Sequence, residues 1–137
     1  MGNREDLLAG ARRCLFEKGY SRSTVRDIAT AAGVSMAAIG YHFGSKEALL
    51  NEALAEANRE WGVELERTLG AVERPGATAL ERFESKWDAA ADSVREHLGV
   101  WAATFDVIAQ AANDPASRAQ LAAGAAEGRA GLARLFA

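Results

Sequence analysis

Apolar residues recur along this chain at the spacing of a helix face rather than a strand. Leu7, Leu8, Ala11, Cys14 and Leu15 form one stripe, Arg12 and Arg13 point the other way, and Gly19 ends the run. Thr24 and Asp27 make a T-x-x-D capping box that opens a second helix through "VRDIATAA" to Gly33. A third helix is expected from a cap at Ser35 to Phe43–Gly44, with almost nothing but Ala, Ile and Gly in its first half. "GSKEALL" then opens a long fourth helix capped by Ser45, with Leu50, Leu54, Ala57, Trp61 and Leu65 on one stripe. Run to Gly70, it measures roughly 35–40 Å. Gly62 inside it costs ~1 kcal/mol relative to Ala, which predicts a close helix crossing at that point.

"ERPGA" (Glu73–Ala77) reads as a linker. Beyond it Leu80, Phe83, Trp87, Ala91, Val94 and Leu98 mark a fifth helix. "VWAATFDVIAQAA" is apolar nearly all round, the pattern of a helix buried in a bundle. Asn113 or Asp114 caps a last helix with Pro115 at its first position, carrying Leu121, Leu132, Leu135 and Phe136. No stop signal precedes Ala137, so the sequence reads as ending inside a helix. The expected fold is all-α: a small three-helix unit over residues 1–46, then a helical bundle over 47–137.

Composition agrees with helices, being Ala-rich with only 2 prolines in 137 residues. One cysteine, Cys14, excludes an internal disulfide framework, and its place on the apolar stripe makes it a small core residue. No apolar run approaches the ~20 residues that span a bilayer and no signal peptide opens the chain, which predicts a cytoplasmic protein without a membrane partner. The net charge of −3 argues at first against nucleic acid. Residues 1–50, however, hold seven Lys or Arg against five acids, so the acidic excess lies in the remainder. Phosphate binding depends on where positive charge sits, not on its average.

Two short helices joined at a Gly turn describe a helix-turn-helix, although a plain helical hairpin has the same outline. A helix lying in a major groove needs small residues, or residues that make contacts, on its outer side. Ala37, Ala38 and Gly40 permit close approach, while Ile39 and Phe43 turn back to the core. The free N–H groups near Ser35 and Thr24 can meet phosphate.

The run "TVRDIATAAGVSMAAIGYHFGSKEALL" resembles the N-terminal DNA-binding domain of the TetR family of transcriptional repressors. It matches at Thr24, Ile28, Ala29, Gly33, Val34, Ser35, Tyr41, Phe43, Ser45, Lys46, Glu47 and Leu49, and upstream at Ala11, Arg12 or Arg13, Leu15, Phe16, Gly19 and Tyr20. The resemblance implies phosphate contacts by Thr24, Tyr41, His42 and Lys46, with Ser35, Met36, Ala37 and Ala38 nearest the base edges. Arg4 is placed to reach the backbone. Family members often carry Lys or Arg after the Ser and an aromatic before the Tyr, where this chain has Met36 and Gly40. Readout is therefore expected to lean on thymine methyls, Arg26 and DNA shape.

The resemblance further implies that residues 47–137 belong to an effector-binding and dimerisation domain, truncated here. The intact protein is then a homodimer on a palindromic double-stranded DNA operator, released by a small-molecule effector. Trp61, Phe83, Trp87, Trp101 and Phe105 suggest an apolar or flat aromatic effector, with His97, Gln110 and Asp106 as polar contacts; the plainer reading makes the aromatics simple core. An enzyme is disfavoured. The chain has two His and none of the phosphate-loop, zinc-protease or nucleophile-elbow motifs, and the reading calls for no cofactor or metal. The alternative is a helical ligand-binding or interaction module without operator binding.

Overall fold

The computed structural model describes residues 2–72, 74–111 and 113–136, and among them the backbone forms seven α-helices and no strand. The helices are α1 (Asn3–Lys18), α2 (Val25–Ala32), α3 (Ala37–Phe43), α4 (Lys46–Gly70), α5 (Ala79–Glu96), α6 (Leu98–Ala111) and α7 (Pro115–Phe136). Three expectations touch residues outside the described set: Glu73 of the linker, Ala112 at the end of the apolar run and the terminal Ala137.

The expected stripe of α1 is buried in full. Burial pushes the Cys14 thiol pKa up, as befits a small core residue. At Gly10 the helix meets the end of α2 so closely that an added Cβ would lie 2.8 Å from the Ala32 backbone nitrogen. α2 opens on the expected reciprocal box, Thr24 Oγ1 accepting from the Asp27 amide and Asp27 Oδ2 from the Thr24 amide. It closes on Gly33 in the left-handed region, φ +71°, where a side chain would be strained.

The start of α3 differs from expectation. Ser35 gives its carbonyl, not its hydroxyl, to the turn: the Ala38 amide donates to Ser35 O at 3.2 Å, and the Ser35 side chain caps nothing. Met36 already has helical backbone angles, so the helix is entered through tight three-residue bonds that engage the Ala38 and Ile39 amides.

Ser45 caps α4 as expected, accepting from the Ala48 amide at 3.0 Å. Arg4 pairs with Glu52, and Arg12 with Glu60 at 2.6 Å. The equal spacing of these pairs shows α1 and α4 running side by side in the same direction. Between them Leu49, Leu50, Ala53 and Leu54 of α4 share one core with α1, α2 and α3, to which Ala103 and Val107 of α6 also belong. A unit ending at residue 46 would lack all four of these α4 core residues.

Gly62 does not mark a helix crossing. An added Cβ there would meet nothing within 4 Å. With no neighbour to disturb, only helix propensity remains, so Gly62→Ala is expected to stabilise the chain by ~1 kcal/mol. A denaturant midpoint that stays put or falls would show that this glycine has a packing partner.

The later helices are less enclosed than the pattern suggests. α6 buries Val100, Ala103, Val107 and Ala111 against α7, α4 and α1. Leu98, Phe105 and Ile108 stay exposed, because helices cover α6 from one side only. On α5, Leu80, Phe83 and Trp87 are likewise exposed. Asp114 caps α7, accepting from the Ser117 amide at 3.0 Å and the Ser117 hydroxyl at 2.6 Å, bonds that hold its carboxyl pKa down. Pro115 sits at the first helical position, as expected.

Candidate nucleic-acid interface

The α2–turn–α3 hairpin projects a face with little on it. Ile39 is buried and Phe43 half-buried against the core, which fixes which side of α3 looks outward. That side carries Ala37, Gly40 and Tyr41 at helical spacing, with Met36 and Ser35 exposed at its start. Tyr41 is 85% exposed, its ring edge-on to His42 at 4.8 Å. An added Cβ at Gly40 would meet nothing within 4 Å. Nothing inside the molecule demands a glycine there. Ala38 and His42 turn partly inward, Ala38 packing on the core.

The surrounding charges are unequal. Arg26 on α2 is exposed and Lys46 lies 3.7 Å from Glu47 at the start of α4. Arg4 is held by Glu52 and lies over the Phe43 ring at 5.1 Å, so the structure braces it against α4. Thr24 is exposed with its hydroxyl engaged in the cap. Asp27 is the one carboxylate in the box. Lys18 at 2.9 Å, then the Thr24 amide and hydroxyl, lower its pKa to about 2.

The aromatic residues of the later helices form two groups. Trp61 meets Trp101 edge-on at 5.2 Å, and Trp101 meets Phe105 at 6.1 Å. Phe83 and Trp87 instead stack together and against Phe136. The Trp61 indole donates to Ser93 Oγ at 3.0 Å, whereas the Trp101 indole nitrogen is buried without an acceptor. His97 contacts Glu64 at 3.2 Å and the Ser93 carbonyl at 2.8 Å. Asp106 and Gln110 do not join either group; both engage the turn between α1 and α2. A cavity of about 350 Å³ separates α1 from α6 beside Phe16, Gly19 and Asp106, and a second of about 210 Å³ lies near Leu8 and Glu56. Among the described residues no cluster of His, Cys, Asp or Glu is arranged to hold a metal ion, and no helix is long and apolar enough to cross a membrane.

Residues 7–53, the span of this head, match the sequence pattern of bacterial regulatory proteins of the tetR family. The head is therefore a tetR-family regulatory domain. The HTH-type transcriptional repressor AcnR of Corynebacterium glutamicum is 42% identical over 83 residues, 60% of this chain and 44% of the relative. The regulator YvkB of Bacillus subtilis is 33% identical over 119 residues, 84% of this chain and 61% of the relative. The chain thus spans under half the length of this AcnR repressor. Among solved structures, SCO7518 of Streptomyces coelicolor A3(2), described as a transcriptional regulator, superposes with a TM-score of 0.76 at 27% identity. That match covers 96% of this chain and 74% of that one. The shared arrangement of helices therefore extends through the later helices as well as the head.

Two features of this TetR head escape the residue pattern. Gly10 is a contact point of helices far apart in sequence, signalled only by a glycine bordering the apolar stripe of α1. Asp106 belongs, by its bonds, to the turn it touches and not to an aromatic site.

Proposed function

We propose that the chain is a DNA-binding transcriptional repressor that lays the outer face of α3 in the major groove of an operator and is released by a small-molecule effector. The observation that carries this reading is the bare side of α3, where Ala37 and Gly40 leave open surface that no internal contact requires. The AcnR relatives are named repressors, as is KstR2 of Rhodococcus jostii, 43% identical over 53 residues. Tyr41, His42, Lys46 and Thr24 then meet phosphates, and Ser35, Met36, Ala37 and Ala38 approach base edges with Arg26 beside them. Arg4 contributes by holding α1 to α4. With few groups able to hydrogen-bond a base, discrimination rests on thymine methyls and on DNA shape. The intact protein acts as a homodimer, whose two-fold symmetry calls for a palindromic site.

The effector site is proposed at Trp61, Trp101, Phe105 and His97. The unpaired indole nitrogen of Trp101 suits a flat or apolar ligand with one acceptor. Phe83 and Trp87 extend the aromatic surface from α5.

Selection of bound sequences from random DNA tests the reading, and an enriched palindrome is the expected result. Affinity for it should fall with log salt by about 0.9 log unit per phosphate contact, and Lys46→Ala, which removes one contact from each protomer, should reduce that slope by about 2. No enriched sequence and no DNA affinity at low salt would favour instead a ligand-binding module without an operator.

A further inference from the structure

We infer that Asp106, on α6, is a positioning residue through which the later helices set the geometry of the DNA-binding head, an inference that rests on the DNA-binding reading above. The turn from Gly19 to Ser23 joins α1 to α2, and its shape decides where α2 starts. From within the head it is pinned by the Gly19 amide on Leu15 O and by the Ser23 hydroxyl on Gly19 O at 2.7 Å. From outside the head it is held by α6. The Tyr20 amide donates to Asp106 Oδ2 at 2.9 Å and the Ser21 hydroxyl to Asp106 Oδ1 at 3.5 Å, while Gln110 Nε2 donates to Ser21 Oγ at 3.1 Å.

Two further observations give this contact its weight. The Tyr20 side chain is buried, so its amide is poorly placed to find water if Asp106 is lost. The cavity of about 350 Å³ opens between α1 and α6 at this place, lined by Leu15, Phe16, Gly19, Ala103 and Asp106. Ala103 and Val107 of α6 join the apolar core of the head, so packing sets how close the units lie, while beside this gap the charge-assisted hydrogen bonds of Asp106 fix the turn itself. The Thr24 cap of α2 follows Ser23 directly, so a turn released from α6 frees the start of the helix that carries Arg26 and leads into α3.

The experiment compares the full chain with Asp106→Asn and Asp106→Leu. Asparagine keeps an acceptor for the Tyr20 amide, whereas leucine keeps the volume and offers none. Amide exchange at Tyr20 and affinity for the DNA sequence selected by the wild-type chain are measured for all three. Leucine is expected to speed Tyr20 exchange and weaken DNA binding by about tenfold each, with exchange in the α1–α4 core unchanged, and asparagine to stay within about twofold of wild type. Wild-type affinity in Asp106→Leu, or equal losses in both variants, would overturn the positioning role. Should Asp106→Leu not fold, the wild-type rates decide. After correction for sequence, the Tyr20 amide must exchange about tenfold more slowly than that of exposed Arg22, and equal rates overturn the contact. If the wild-type chain selects no DNA, the regulatory reading fails while exchange at Tyr20 still decides the contact.

Discussion

Ala37→Glu is expected to lower affinity for the selected DNA by about 100-fold while leaving the fold as stable as before, or slightly more so. Ala37 is the first residue of α3 and is exposed, so a longer side chain meets no neighbour in the protein. A carboxylate in the first turn of a helix is favourable by roughly 0.3–1 kcal/mol, because it faces the free amides of that end. Toward DNA the sign reverses. The same group is brought against a phosphate-lined groove, and like charges held together cost several kcal/mol, where about 2.7 kcal/mol already corresponds to 100-fold. Stability and affinity thus move in opposite directions, which a general loss of structure cannot imitate. Binding within threefold of wild type would remove α3 from the interface.

Gly10→Leu is expected to cost about 3 kcal/mol of stability, the upper end of what forced overpacking produces. Its Cβ alone would stand 2.8 Å from the Ala32 nitrogen and 2.9 Å from the Ala32 Cβ, so α1 and α2 must separate. Because α2 leads through Gly33 into α3, the displacement reaches the outer face directly. Ala32→Gly in the same chain should restore only part of the loss, since the backbone nitrogen remains in the way. A denaturant midpoint equal to wild type would mean that the helices part at no cost. Gly10 and Gly62 make an instructive pair, both glycines inside helices yet with opposite expected responses to a side chain. What separates them is the presence of a neighbour.

That pair also marks where the sequence is legible. Caps are local: Thr24, Ser45 and Asp114 act on amides three positions away, and residue type and spacing identify the first two and narrow the third to Asn113 or Asp114. Ser35 has the right chemistry for the same role, but Met36 enters the helix early and the turn takes the Ser35 carbonyl instead. The stripe of α1 is legible because a whole face of five residues repeats. The even apolar pattern of α6 cannot tell how many sides its neighbours cover, and only one is covered. Asp106 is the hardest case. Its partner, Tyr20, lies 86 positions away, so its residue type suggested an effector contact and only the packing of α6 on α1 reveals its place. Within the proposed interface, the bare side of α3 could be read because Ile39 and Phe43 announce the opposite side. The diversion of Arg4 to Glu52 could not, since it depends on α4 running beside α1.

The division of aromatic side chains between head and bundle has a practical consequence. Both tyrosines, Tyr20 and Tyr41, lie in the head, and all three tryptophans, Trp61, Trp87 and Trp101, lie beyond the part of α4 that completes it. Indole fluorescence therefore watches the bundle, and with Trp61 and Trp101 in edge contact it is sensitive to how α4 and α6 meet. Tyrosine emission, recovered in a chain whose tryptophans are replaced, watches the head. One polypeptide thus carries two native optical labels, and a melt followed in both colours would tell whether its halves come apart together or in sequence.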